Sequence, residues 1–213
     1  MEQINPSILD LLWQGILQTS VWEWIAVATS VIYVVLAAKR SILCWIFALI
    51  SSACYIYICF LSKLYIETIL QFFYFGMGIV GWVLWNRPKD DSQEITTWGM
   101  RNNIVNILLS GLLTVILGYV FDTYTDQANP YVDAFITSYC LSATYMITKK
   151  VHEGWIYLIL IDLLSIFLYG GRGLYVSSGL YIMFTVIAIF GWIEWFRKYR
   201  NPGVATSRDL IDA

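Results

Sequence analysis

Seven long apolar runs follow one another along the chain, at roughly 22–38, 42–61, 65–86, 103–121, 131–148, 153–169 and 174–196. Each is parted from the next by a short stretch carrying charged residues, Gly, Pro or Asn. A helix needs about 17–25 apolar residues to cross a bilayer. These runs reach that length and far exceed the alternating strands of about 10 residues that build a membrane barrel. Inside lipid the backbone has to satisfy its own hydrogen bonds, so each run is predicted to be a helix. The fold class expected is an all-α integral membrane protein with seven transmembrane helices. Before them, residues 5–20 place Ile8, Leu11, Leu12 and Ile16 on one helical face, with Asp10, Gln14 and Gln18 elsewhere and Asn5-Pro6 as a start signal. That pattern predicts a short interfacial helix within an N-terminal segment 1–21.

Composition agrees. Of 213 residues 59% are hydrophobic and only 13% charged, with a mean hydropathy of +0.65, which leaves too little polar surface for a soluble globule. The lipid bilayer is therefore the first partner implied, and no nucleic-acid partner is expected. The N-terminus has no basic region ahead of its first apolar segment, so an uncleaved start is expected. Cys44, Cys54, Cys59 and Cys140 all lie in apolar runs and form no ligand spacing with the single His152. They read as packing residues, with no disulfide framework, metal or cofactor.

Charge orients the chain. Lys39, Arg40, Arg87, Lys89, Arg101, Lys149, Lys150, Arg197, Lys198, Arg200 and Arg208 fall on one side of the predicted spans, and only Lys63 and Arg172 on the other. The positive-inside rule then predicts a cytoplasmic C-terminus, an outside N-terminus and a multi-pass protein of the cytoplasmic membrane.

Sliding the chain against itself by 110 positions reveals a repeat. Lys39-Arg40 falls on Lys149-Lys150, Trp45 on Trp155, Leu64-Tyr65 on Leu174-Tyr175, and Gly81-Trp82-x-x-Trp85 on Gly191-Trp192-x-x-Trp195. Glu23 falls on Asp133. The predicted organisation is a first three-helix repeat at 22–86, a connecting helix at 103–121, a second repeat at 131–196 and a cytoplasmic tail at 197–213. This is a parallel 3+1+3 duplication, an arrangement that puts a transporter's substrate site between the halves near mid-membrane. The Gly-Trp-x-x-Trp motif marks the end of the third helix of each half, where Trp suits the interface and Gly suits close packing.

Polar groups inside the spans are the functional candidates, because an ionisable side chain at mid-bilayer costs about 2.5–3.5 kcal/mol even on insertion scales. Asp162 stands in the middle of the sixth run and shares a helical face with Trp155, Leu158, Ser165 and Tyr169. No Lys or Arg occurs at that depth in the sequence, which leaves protonation, polar neighbours or an incoming cation to satisfy it. Glu67, Gln71, Tyr74 and Gly78 form a polar stripe in the third run, and Asp133, Thr137, Cys140 and Thr144 another in the fifth. Their repeat-mates differ (Gln71 with Tyr181, Asp162 with Ser52), as one asymmetric ligand requires. Aromatic faces near a carboxylate suit a flat organic cation.

The segments LYIETILQFFYF with GWVLW, DAFITSYCLSATYMITKK, EGWIYLILID, and GLYVSSGLYIMF with GWIEW resemble the PnuC family of vitamin-precursor transporters over nearly the whole chain. The resemblance implies a seven-helix 3+1+3 fold, a homotrimer, and uptake of nicotinamide riboside by facilitated diffusion with trapping by a cytoplasmic kinase. The family's sixth-helix motif of Trp, Trp and Asn falls on Trp155, Leu158 and Asp162, keeping only the first. Its third-helix glutamine falls on Gln71, the resemblance places Thr137 and Tyr181 on the matching faces, and Tyr74 joins this binding set from the polar stripe of the third run. Thiamine-transporting relatives share the scaffold, so a thiamine cargo is the alternative. A sugar facilitator of the SWEET type shares the parallel plan without accounting for Asp162. A retinal protein needs a mid-membrane Lys that 174–196 lacks, and an intramembrane enzyme needs a nucleophile and base or metal ligands. A purely structural role leaves Asp162 and Gln71 unexplained.

Overall fold

The computed structural model describes residues 17, 19–86, 95–126 and 129–201. Most of the interfacial helix expected at 5–20 and the tail beyond Asn201 lie outside the described residues. Among those described there are seven helices: α1 (Val21–Ala38), α2 (Cys44–Leu61), α3 (Tyr65–Trp85), α4 (Met100–Tyr124), α5 (Pro130–Thr148), α6 (Gly154–Gly171) and α7 (Tyr175–Arg200). Six of them, all but α5, are long and apolar enough to cross a membrane. The hydroxyls of Thr137, Ser138, Ser142, Thr144 and Thr148 make α5 the more polar helix, and it packs against α3, α4 and α6.

Local chemistry sets the helix ends. α1 opens on a capping box in which Ser20 Oγ accepts from the Glu23 N–H at 3.2 Å and Glu23 Oε2 accepts from the Ser20 N–H at 2.6 Å, satisfying two donors that the first turn leaves open. Four helices end in one and the same closure, with a residue at positive φ just beyond the C-cap: Arg40 (61°), Lys63 (59°), Lys150 (58°) and Gly173 (75°). The N–H of the next residue reaches back five positions, as in Ser41 to the Leu36 carbonyl and Val151 to the Met146 carbonyl, both at 2.9 Å. This is the Schellman pattern. Its instances fall in pairs at the offset of the sequence repeat, Arg40 with Lys150 and Lys63 with Gly173.

The packing order is equally paired. α2 bridges α1 and α3, α6 bridges α5 and α7, and α4 leans on α5. Contact between the two sets runs through α1 with α7 and α3 with α5. The most buried cluster sits at the end of the bundle where the Lys39-Arg40 and Lys149-Lys150 turns lie, and holds Ala37, Ala38, Cys44, Trp45, Trp85, Ile147, Trp155, Ala188 and Trp195. By contrast Leu108, Phe167 and Phe190 are each about two-thirds or more exposed, an apolar coat suited to lipid or to another protein chain.

The Gly-Trp-x-x-Trp motif has a structural role. A Cβ at Gly81 would overlap the Trp45 ring, and a Cβ at Gly191 the Trp155 ring, so the two glycines seat equivalent indoles of the two repeats. The second Trp of each motif joins an aromatic chain, with ring centroids 5.3 Å apart for Trp45–Trp85, 6.0 Å for Trp85–Trp195 and 5.6 Å for Trp155–Trp195.

At the same end the segment between α3 and α4 is tied to the α5–α6 turn. The Thr96 N–H donates to the Lys150 carbonyl at 2.9 Å and the His152 N–H to the Thr96 carbonyl at 3.1 Å. Glu153 Oε1 accepts from the Thr97 hydroxyl and, at 2.9 Å, from the Trp98 N–H. The single histidine thus serves a turn. Among the described residues no group of His, Cys, Asp and Glu could hold a metal.

Candidate substrate site

Asp162 lies on α6 and is only 7% exposed. Among the described residues it takes part in no ion pair: Arg172 is held by Asp133, and Arg197 by Glu194. Lys and Arg within the helices occur only at their ends, Arg101 in the first turn of α4 and Arg197, Lys198 and Arg200 in the last of α7. A buried carboxylate without a cation is costly unless polar groups surround it.

Those groups come from several helices. Cys140 of α5 lies within electrostatic reach of Asp162 and meets the Tyr74 side chain of α3. Tyr181 of α7 lies within reach of both Cys140 and Asp162. Its ring stacks on Tyr169 of α6, with centroids 5.2 Å apart and planes 13° from parallel, and meets Phe184 edge-on at 6.2 Å. Tyr33 of α1 reaches the same thiol. Side chains from both helix sets therefore converge on Cys140, and those of the second set reach Asp162.

The remaining predicted residues take up distinct positions. Gln71 stands one helical turn before Tyr74 on α3, and Thr137 one turn before Cys140 on α5; both are half-buried. Trp155 is 1% exposed, seated against Gly191 and edge-on to Trp195. It lies two turns, about 10 Å at the helical rise, from Asp162. Leu158, between them, packs on the tryptophan cluster. Ser165 is fully buried and donates to the Ile161 carbonyl at 2.9 Å. The structure thus gathers Tyr74, Asp162 and Tyr181 around Cys140, and sets Trp155 with Leu158 toward the basic end.

Reasoning from the sequence read Cys140 as packing and did not pair Tyr169 with Tyr181. The polar stripe on α5 held the first clue; nothing in a single sequence signals the second, because it depends on how α6 and α7 are rotated. Nor was the ion pair at the far end of the bundle seen. Arg172 Nη1 and Nη2 donate to Asp133 Oδ1 and Oδ2 at 3.1 and 2.7 Å. The bonding to Asp133 holds the guanidinium charged, its pKa raised above the ordinary arginine value. Arg172 also lies 5.9 Å from the Tyr169 ring centroid. At the basic end burial and the neighbouring Arg40 push the Lys150 ammonium toward its neutral form, and that ammonium lies 5.1 Å from the Trp85 ring centroid. Asp162 is thus bracketed along the bundle by an ion pair on one side and a cluster of edge-on and tilted indoles on the other.

The profile of a family described as nicotinamide mononucleotide transporter matches residues 20–197. The chain belongs to this family, the PnuC transporters. It is 26% identical over 195 residues to the nicotinamide riboside transporter PnuC of Escherichia coli, covering 79% of this chain and 82% of that protein. It is 23% identical over 192 residues to the PnuC of Neisseria mucosa, covering 83% and 72%. A riboflavin/roseoflavin transporter, RibM of Streptomyces davaonensis, is 24% identical over 133 residues, 59% of this chain and 62% of that one. The crystal structure of a vitamin B3 transporter PnuC superposes with a TM-score of 0.69 at 20% identity, covering 91% of this chain and 90% of that one. This PnuC-family chain is therefore a membrane transporter and a multi-pass protein of the inner membrane.

Proposed function

We propose that the protein takes up nicotinamide riboside across the cytoplasmic membrane, binding it among Asp162, Tyr74, Tyr181, Gln71 and Thr137, with Trp155 and Leu158 closing the inner side. The observation that carries this reading is Asp162, buried within electrostatic reach of Cys140 on α5 and Tyr181 on α7, with no ion-pair partner among the described residues. The pyridinium of nicotinamide riboside supplies the missing positive charge, and the Tyr181 and Tyr74 rings offer faces for a flat cation. The same carboxylate argues against the mononucleotide named in the family description. A phosphate would meet Asp162 with no Lys or Arg at that depth among the described residues, and like charges in a poorly solvated site repel strongly.

The cycle is proposed as facilitated diffusion through a parallel 3+1+3 duplication, N-terminus outside and C-terminus cytoplasmic, in a homotrimer, with trapping by a cytoplasmic kinase. The pairing of caps, glycines and indoles at the repeat offset supports the duplication. The Asp133–Arg172 pair then closes the outer end and the tryptophan chain the inner end, and alternating access requires each to open in turn. Thiamine remains the second reading, favoured by one observation: Leu158 stands where the resemblance puts a stacking Trp.

The deciding experiment is a tryptophan-fluorescence titration of the purified protein with nicotinamide riboside, nicotinamide mononucleotide and thiamine, repeated on Asp162→Asn. Saturable binding of the riboside, weakened at least tenfold in the variant, is expected. Tighter binding of thiamine would transfer the assignment to that vitamin, and unchanged affinity in Asp162→Asn would remove the carboxylate from the site. Accumulation of substrate above equilibrium in proteoliposomes carrying an ion gradient would replace facilitated diffusion by coupled transport.

A further inference from the structure

The two helix sets differ at the close of their third helices. α3 ends at Trp85, directly at its motif, whereas α7 runs on past Trp195 to Arg200. The extra turn is not loose. Tyr199 stacks on His152 with centroids 5.1 Å apart and planes at 23°, and Phe196 lies 5.8 Å from the same ring. Trp192 stacks on Phe196 at 5.8 Å and 24°, and the Arg200 guanidinium sits 5.7 Å from the Phe196 centroid. His152 is itself held by the Thr96 carbonyl. The extension is therefore docked on the α5–α6 turn as an aromatic platform that presents arginines outward.

On that platform an open groove of about 490 Å³ is lined by Trp192, Ile193, Phe196, Arg197, Arg200 and Asn201. Ile189, Ile193, Arg197 and Arg200 follow one another at spacings of four, four and three, so one stripe of α7 passes from apolar to cationic. Ile189 and Ile193 are each 40% exposed, and the Arg197 side chain is 63% exposed, with only a 3.6 Å contact to the half-exposed Glu194. An exposed pair of that kind adds little stability and leaves the guanidinium open to a stronger anion.

We propose that this groove binds an anionic phospholipid of the inner leaflet, its phosphate between Arg197 and Arg200 and an acyl chain along Ile193 and Ile189. Arginine presents a planar set of donors to phosphate oxygens, and basic clusters at the cytoplasmic ends of spans attract anionic headgroups. A zwitterionic lipid fits less well, because its own cation would face the two arginines. A soluble protein partner would leave the continuity between the arginines and the lipid-facing isoleucines without a use.

The test uses the full-length protein in nanodiscs of phosphatidylcholine alone or with phosphatidylglycerol, melted in parallel with Arg197→Gln/Arg200→Gln. The expected result is a melting temperature raised by about 2–4 °C by phosphatidylglycerol in the unaltered protein, and no such rise in the variant, which melts normally in phosphatidylcholine. Native mass spectrometry from detergent should retain phosphatidylglycerol on the unaltered protein and lose it from the variant. An equal shift in both proteins, or none in either, would overturn the proposal. So would the same stabilisation by soluble glycerol phosphate, which carries the headgroup without the chains. Should the variant change the mass of the oligomer instead of its lipid count, the groove is a contact between copies and the lipid assignment falls.

Discussion

The indole N–H of Trp195 donates to the carbonyl of Ala38 at 3.2 Å, and to that of Ala37 at the same distance. Its repeat-mate, Trp85, donates to the carbonyl of Thr148 at 3.1 Å, and Thr148 is in turn the repeat-mate of Ala38. The second tryptophan of each motif therefore caps the last turn of the opposite set's first helix, supplying a donor to the Ala38 and Thr148 carbonyls, while the Ala37 carbonyl also accepts from the Arg40 N–H. These reciprocal bonds tie the sets together at the basic end.

Removing either donor while keeping an aromatic ring isolates that tie. Trp85→Phe and Trp195→Phe should each lower stability by about 1–2 kcal/mol, since a buried carbonyl is left unsatisfied. Thermal melts of the two variants in one detergent check this, and an effect at one site alone would deny the reciprocity.

The seats of Trp45 and Trp155 offer a sharper test of packing. Gly81→Ala and Gly191→Ala each place a methyl group into an indole and should cost about 1–3 kcal/mol. Combining Gly81→Ala with Trp45→Leu should restore part of that loss, because the two residues share one volume. Strict additivity would mean that the glycine serves some other purpose.

The Asp133–Arg172 ion pair is partly shielded, with side chains of Arg172 and Asp133 only 24% and 13% exposed. Its coupling energy, from the cycle of Asp133→Asn, Arg172→Gln and both together, should exceed the roughly 0.2–1 kcal/mol of an exposed pair. If this pair closes the outer end, the variants should also let a thiol reagent reach Cys140 faster. Unchanged labelling would leave it as a tie between α5 and the α6–α7 turn.

Gly173 and Lys63 occupy equivalent closures at φ 75° and 59°, and equal geometry with unequal residues predicts opposite signs. Gly173→Ala should destabilise by about 1 kcal/mol, the strain of a side chain in the left-handed region. Lys63→Gly should raise the melting temperature or leave it unchanged, the relief of strain being offset by the freedom of glycine in the unfolded chain. A clear loss on Lys63→Gly would show that the lysine side chain holds a partner worth more than the strain.

The chain by itself determined the helices, whose observed ends lie within two residues of the predicted runs except in α4, which is longer at both ends, and at the close of α7, which continues to Arg200. Apolar length decides a span, and local rules of capping and charge decide its ends, so both are written in contiguous residues. The absence of a Lys or Arg near Asp162 within its own run is likewise readable from contiguous residues. What only the tertiary structure decided is which faces meet. A helix that is mostly apolar all round gives a weak signal for its rotation in lipid, and even the polar stripes on α3 and α5 do not say which neighbour they face. The sequence therefore could not say that Arg172 takes Asp133, that Trp155 belongs to an indole chain, that Cys140 stands between Tyr74 and Asp162, or that Trp85 and Trp195 reach across to carbonyls of the other set. Those pairings rest on the depth and phase of several helices at once, which no local pattern records.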